Sequence, residues 1–227
     1  MDRSRKELLA AGEGVYTVPQ IARILQPKMT VYKVRYWLHK GLLGEPIRWG
    51  SRGRRHLLSF EQLLKVRTIQ RLRDSGLPLQ RITPAIRKLS SYIFEHLFDE
   101  QWYGLEFYHS NRGAVAVGDS RGMVIEVETG QRILPGTLSG LTDYMRKTRE
   151  DWERRETDIA GFSRLVSNAR ILGGSPTIRG TRVETSFVAY MVESLGADDV
   201  LELYPRLDRE AVEQAARFEE RAQPLAA

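Results

Sequence analysis

Arginine is the side chain through which this sequence most directly offers chemistry. The run Ile47-Arg48-Trp49-Gly50-Ser51-Arg52-Gly53-Arg54-Arg55-His56-Leu57-Leu58 sets four arginines among glycines and β-compatible residues. A guanidinium is planar, always charged, and matches phosphate oxygens with paired N–H donors. The chemistry on offer is therefore grip on a polyanion. The run reads as a hairpin or wing whose tip lies along phosphates or probes a minor groove. An isolated run of this kind is more often a solvated loop; its place directly behind two short helices turns the reading toward a wing.

Bond-making chemistry has little to work with. His39, His56, His96 and His109 are scattered, with no i, i+4 pair to hold a metal. No Ser-His-Asp order is present, and Glu126 and Glu128 lie two apart on an expected strand, as on a solvent face. With no cysteine, disulfides, thiolate chemistry and cysteine-type zinc sites are excluded. We expect no catalytic residue, no metal and no cofactor.

The charge of the chain is divided. Residues 1–90 hold 19 basic and 6 acidic residues, a net of +13, and residues 91–227 hold 16 and 23, a net of −7. One end is suited to a polyanion and the other is not. No apolar stretch approaches the roughly 20 residues of a membrane span, and Met1 to Lys6 do not open a secretory signal. The expected compartment is the cytoplasm.

Elements to position the arginines follow from local signals. Thr17-Val18-Pro19-Gln20 is a helix start with a capping box, Ile21, Ile24 and Leu25 share a face, and Pro27 prevents continuation. Thr30 caps a second helix with Val31, Val34 and Leu38 on its apolar stripe; Lys33, Arg35, Tyr36, Trp37 and Lys40 lie around its less buried sides, and Gly41 ends it. Two short helices at this spacing form a helix-turn-helix. Ser59 and Gln62 suggest another capping box, opening a helix to about Ser75. Pro84 predicts a break, with Thr83 capping a new helix to about Phe98, whose stripe is either core or a dimer seam.

These residues resemble the MerR-type winged helix-turn-helix family. The matching stretches are Tyr16-Thr17-Val18-Pro19-Gln20-Ile21-Ala22, Val34-Arg35-Tyr36-Trp37-Leu38-His39-Lys40-Gly41-Leu42-Leu43, Ser59-Phe60-Glu61-Gln62-Leu63 and Ile69-Gln70-Arg71-Leu72-Arg73-Asp74-Ser75-Gly76-Leu77. The resemblance implies a homodimer on two-fold symmetric operator DNA. Arg35 and Tyr36 would lie in the recognition helix, with Thr30 and Lys33 beside them, and Arg48, Arg52, Arg54 and Arg55 on phosphate. The family's Arg-x-Tyr before the third helix falls on His56 and Leu58, leaving Arg55 as the nearest substitute.

Further along, Leu105–His109, Ala114–Val117 and Met123–Val127 read as strands of a small antiparallel meander, with Gln131–Leu134 as a fourth. Leu141–Arg155 reads as a helical connector. The glycines of Ile171–Val183 lack the spacing of a phosphate loop or dinucleotide fingerprint, so an extended arm turning at Gly174 and Gly180 is expected. Three helices follow: one through Phe187, Tyr190, Met191 and Val192, one opened by Asp198 or Asp199, and one capped by Asp208.

Pro176-Thr177-Ile178-Arg179-Gly180-Thr181-Arg182, then Gly196, then Tyr204-Pro205-Arg206-Leu207 resemble a bacterial domain family defined by that pattern. Its members look like antitoxins of type II toxin–antitoxin pairs, and the whole order is similar to VapB-type antitoxins paired with a PIN-like ribonuclease toxin. The resemblance implies a three-helix, homeodomain-like module. Arg179 or Arg182 would enter the toxin's carboxylate site, or acidic residues such as Asp198, Glu202 and Glu213 would cover its RNA-binding surface. The two arginines would otherwise tie down the arm, and the acidic helix would be a solvated face.

The expected protein is mainly α with a small antiparallel β-region. Residues 1–90 form a winged helix-turn-helix head, 91–158 a dimerisation helix, meander and connector, and 159–227 a toxin-binding module. The expected function is that of an antitoxin and autorepressor. The alternative is a one-component regulator sensing a small molecule through its middle β-region. Truncation after about residue 158 is expected to leave DNA binding largely intact.

Overall fold

Local capping chemistry starts the fold as the sequence predicts. In the computed structural model, which describes residues 14–51, 54–89, 106–109, 114–118, 122–133, 139–140, 148 and 150–221, the strand β1 (Tyr16–Thr17) runs straight into the helix α1 (Val18–Ile24). The Thr17 hydroxyl accepts from the Gln20 N–H at 3.4 Å, and the Gln20 side chain accepts from the Thr17 N–H at 2.8 Å. Two helix-end donors are thereby satisfied. Next come α2 (Val31–His39), β2 (Leu57–Leu58), α3 (Phe60–Asp74) and α4 (Leu79–Leu89). β1 and β2 pair antiparallel, Tyr16 opposite Leu58.

The chain forms two compact units that do not follow its linear order. One comprises residues 1–34, 47–60 and 155–227; the other comprises 35–46 and 61–154.

The first unit joins the start of the head to the C-terminal residues. There β7 (Glu156–Asp158), β8 (Leu165–Asn168) and β9 (Pro176–Ile178) form an antiparallel sheet in that order, with Thr157 opposite Ser167 and Val166 opposite Thr177. The expected extended arm between Gly174 and Gly180 is the strand β9, paired with β8. Three helices follow, α5 (Thr185–Leu195), α6 (Ala197–Leu203) and α7 (Arg209–Glu220). Asp208 caps α7 as predicted, accepting from the Ala211 N–H at 2.8 Å.

Tyr16 is the pivot of this unit. Its ring is 1 % exposed and stacks obliquely against Phe60. Its hydroxyl lies 3.2 Å from Ser167 Oγ, and Ser167 in turn donates to the Gly174 carbonyl at 2.8 Å. With the serine proton committed there, the phenol is the donor in the pair. Gly174, at φ +92°, leaves the space that the ring occupies: a Cβ there would stand 2.3 Å from Tyr16 Cζ. Further ties run from the Val15 N–H to the Gly173 carbonyl at 2.9 Å and from the Ala160 N–H to the Ile24 carbonyl at 3.2 Å. Arg23 of α1 pairs with Glu219 at 2.5 Å, its guanidinium over the Phe218 ring.

In the second unit β3 (Glu106–His109), β4 (Val115–Gly118), β5 (Val124–Glu126) and β6 (Ser139–Gly140) form an antiparallel sheet of order β5-β4-β3-β6. At the expected fourth strand, among the described residues, Arg132 bridges to Ile125 beside β5, and β6 pairs with β3 at the opposite edge. Phe107, Val115, Val117 and Ile125 are buried as core. Residues 150–154 are helical, and the pair Arg67–Asp151 is nearly buried. Pro84 does not break α4. It lies exposed, as does Gln80, to whose carbonyl residue 84 has no N–H to donate. The expected continuation toward Phe98 lies outside the described residues.

These contacts reverse the truncation expectation: cutting after residue 158 removes the socket of Tyr16 and the partners of Ile24 and Arg23. Gly174→Ala should destabilise the protein by about 3 kcal/mol or more, since neither the left-handed backbone nor the ring leaves room; chemical denaturation measures this. Burial pushes the Tyr16 phenol well above its ordinary value. The unfolded chain therefore releases this proton first. The stabilisation is complete below about pH 10 and declines as pH rises beyond it. Tyr16→Phe should lose that part of the alkaline slope, at a cost of about 1 kcal/mol near neutrality for the lost hydrogen bond.

Candidate nucleic-acid interface

The candidate recognition helix is α2. Thr30 caps it, its hydroxyl accepting from the Lys33 N–H at 3.2 Å. Gly41 ends it at φ +72°, with the Leu42 N–H closing on the Trp37 carbonyl at 3.0 Å. Its buried stripe is Val34, Trp37 and Leu38, whereas Val31 is 37 % exposed. The stripe is thus rotated from the expected one, and Trp37 is core. Tyr32, Lys33, Arg35 and Tyr36 are exposed, Tyr32 by 76 %. The Lys33 ammonium donates to the Lys28 carbonyl at 2.9 Å, and the Lys40 ammonium lies 5.6 Å from the Tyr36 ring centre. The exposed side of the helix therefore presents cations and phenols, which suit a groove lined by phosphates and base edges.

The wing is a narrow loop with its own fastening. Arg48 and Leu57 exchange N–H···O bonds at 3.2 and 2.9 Å. The Gly50 N–H donates to His56 Nδ1 at 2.9 Å, and Trp49 meets the His56 ring edge-on at 5.6 Å. A Cβ on Gly50 would lie 2.7 Å from the Arg54 carbonyl oxygen, so this position demands glycine. Arg48, Arg54 and Arg55 are exposed; Arg52 lies outside the described residues. His56, the position at which the sequence departs from the pattern it resembles, thus closes the loop that carries its neighbours. Its role is visible in the sequence only as a departure.

The Gln62 amide donates to the carbonyls of Leu43 and Glu45, both at 3.1 Å. This ties α3 to the turn after α2.

The C-terminal candidates are dispersed. Arg179 pairs with Asp158 at 2.7 Å and Glu156 at 3.5 Å and donates to the Ser163 carbonyl at 3.1 Å. Its guanidinium thus fastens the turn after β9 to the sheet. Arg182 is exposed. Asp198 pairs with Arg209, whose guanidinium is pushed up by that hydrogen bond and charge. Glu202 and Glu213 are exposed on α6 and α7.

A feature the sequence reading missed lies beside them. Phe187, Tyr190 and Leu195 of α5 and Leu203 of α6 are 41, 65, 46 and 58 % exposed. The i, i+3, i+8 spacing on α5 was the available signal; it resembles an ordinary core stripe. Among the described residues no group of three or more His, Cys, Asp or Glu could hold a metal. No described helix is long and apolar enough to cross a membrane.

Comparison with known proteins divides the chain at two places. Residues 16–89 match the family described as MerR HTH family regulatory protein, and residues 165–218 match one described as a protein of unknown function, DUF433. The chain thus carries a MerR-family helix-turn-helix domain and a C-terminal DUF433 domain. Among solved structures it is similar to the crystal structure of Rv2018 from Mycobacterium tuberculosis. That match has 14 % identity and a TM-score of 0.52, covering 88 % of this chain and 95 % of that one. The likeness is one of fold. A search of curated proteins finds no match.

Replacing Arg54 and Arg55 together by Ala should weaken duplex binding about equally for all sequences. It should lower the salt slope by about 0.9 for each phosphate that is no longer neutralised. Fluorescence anisotropy across a salt series reads both, and an unchanged slope would remove the wing from the interface.

Proposed function

We propose that this protein is a DNA-binding autorepressor and the antitoxin of a type II toxin–antitoxin pair. In this reading the MerR-family domain binds operator DNA as part of a homodimer, and the DUF433 domain captures a PIN-like ribonuclease. The DNA half is supported by the family match together with the exposed Lys33, Arg35, Tyr36, Arg54 and Arg55. The protein acts by binding rather than by catalysis.

One observation carries the capture half: Phe187, Tyr190, Leu195 and Leu203 of the successive helices α5 and α6 are exposed large apolar side chains, and Asp198, Asp199 and Glu202 of α6 are exposed as well. Large apolar side chains grouped in water mark a protein contact more often than chance exposure does. Aromatic anchors on helices that also expose carboxylates fit a partner with basic and apolar groups on its contact face, as an RNA-binding enzyme offers. The fastening of Arg179 to Asp158 and Glu156 favours this face over an arginine inserted into a nuclease site.

The test is co-expression with the product of the adjacent reading frame. A stable complex that silences ribonuclease activity is expected. Tyr190→Glu combined with Leu203→Glu should weaken capture at least about 30-fold, as loss of a central anchor does, while operator binding persists. Full capture by the double variant would move the contact elsewhere; absence of any complex would remove the antitoxin reading.

A further inference from the structure

The first unit contains an open cleft of about 530 Å³ that joins the helix-turn-helix to the far end of the C-terminal domain. Its lining includes Arg23 of α1, Arg55 from the base of the wing, Thr30 at the start of the recognition helix, and Arg221, the residue that follows α7. Three guanidinium groups from stretches far apart in sequence thus meet in one concavity.

Their charges are not equally spent. Arg23 is neutralised by Glu219, which also accepts from the Thr185 hydroxyl at 2.5 Å. Arg55 and Arg221 are exposed, and among the described residues no carboxylate pairs with either. The Arg221 guanidinium stands 5.2 Å from the Phe162 ring centre, which holds it in place without cancelling its charge. Gln26 also lines the cleft; its amide nitrogen is buried away from the cleft surface and, among the described residues, has no hydrogen-bond partner.

We propose that Arg221 and Arg55 grip the same DNA strand: the cleft takes a phosphodiester segment of the duplex, and the residue that follows the C-terminal helix α7 is thereby part of the DNA-binding surface. The ligand chemistry follows from two exposed guanidinium groups that have no carboxylate partner among the described residues, with the Thr30 hydroxyl beside them. The choice of duplex backbone over a free anion follows from Thr30 and Arg55. These residues belong to the helix and the wing that face DNA, so a strand held by them passes Arg221. The inference rests on the DNA-binding reading above and adds to it a contact from the opposite end of the chain.

The test uses the full-length protein and a duplex covering its own promoter, titrated from low to moderate salt, with Arg55→Ala, Arg221→Ala and Arg221→Lys. Arg221→Ala should weaken binding several-fold for specific and nonspecific duplexes alike and lower the salt slope by about 1, as Arg55→Ala does. Arg221→Lys keeps the charge and should keep the slope, which separates a phosphate contact from loss of the Phe162 stack. If Arg55→Ala lowers the slope and Arg221→Ala leaves it unchanged, the inference falls while the DNA-binding reading stands. If the wild-type protein shifts no duplex, both fall. Thermal stabilisation by inorganic phosphate or a nucleoside triphosphate, abolished in Arg221→Ala with duplex affinity untouched, would assign the cleft to a small anion and overturn the proposal. Tighter DNA binding by Arg221→Ala would mean that this residue occludes the duplex, which also overturns it.

Discussion

The seating of Tyr16 in a socket built by the C-terminal residues is the interaction on which the rest depends. A tyrosine this deeply buried needs a partner for its hydroxyl, because an unpaired buried donor costs about 1–3 kcal/mol. Ser167 supplies the partner, Gly174 supplies the space, and Phe60 covers another side of the ring. Tyr16 lies beside Thr17, the cap that begins α1, so the entry to the helix-turn-helix is set by residues about 150 positions downstream. The DUF433 domain is therefore a structural support of the first helix, whatever else it binds.

This arrangement places the two expected activities on one physical body. The exposed cations of the wing and the exposed apolar face of α5 and α6 belong to residues of the same compact unit. A partner that shifts α7 by capturing this face acts on Glu219, and through it on Arg23 of α1. The energy at stake is modest: a half-buried ion pair and a cation–ring contact together amount to about 1–3 kcal/mol. That suffices for roughly a five- to hundredfold change in affinity.

Much of the architecture is legible in the sequence because its causes are local. The capping box of Thr17 and Gln20, the Thr30 and Asp208 caps and the left-handed Gly41 each draw on side chains within four residues, so their spacing carries the signal. The meander is legible from alternation between turn residues. What escapes a sequence reading has non-local causes. The strands β7 and β9 are three residues long, too short for any alternation to register, and exist because β8 lies between them. Trp37 joins the core because the helix rotates to bury its bulk beside Val34 and Leu38, against the smaller claim of Val31. Arg179 looks available for a partner because Asp158 and Glu156, which hold it, lie more than 20 positions away. The exposed Phe187 and Tyr190 share their spacing with any core stripe, and only the packed structure shows that they stay open to water. Glycine at 174 reads as a turn. Its left-handed φ fits that reading, but the more demanding reason is the phenol ring against it.

Native-state hydrogen exchange tests the shared seating of head and tail most directly. If Tyr16 joins them, the amides of Ile21 to Ile24 in α1 and of Val166 and Ser167 in β8 open with the same free energy, as one cooperative unit. Independent opening of α1, at a lower free energy and unchanged by Ser167→Ala, would contradict the account.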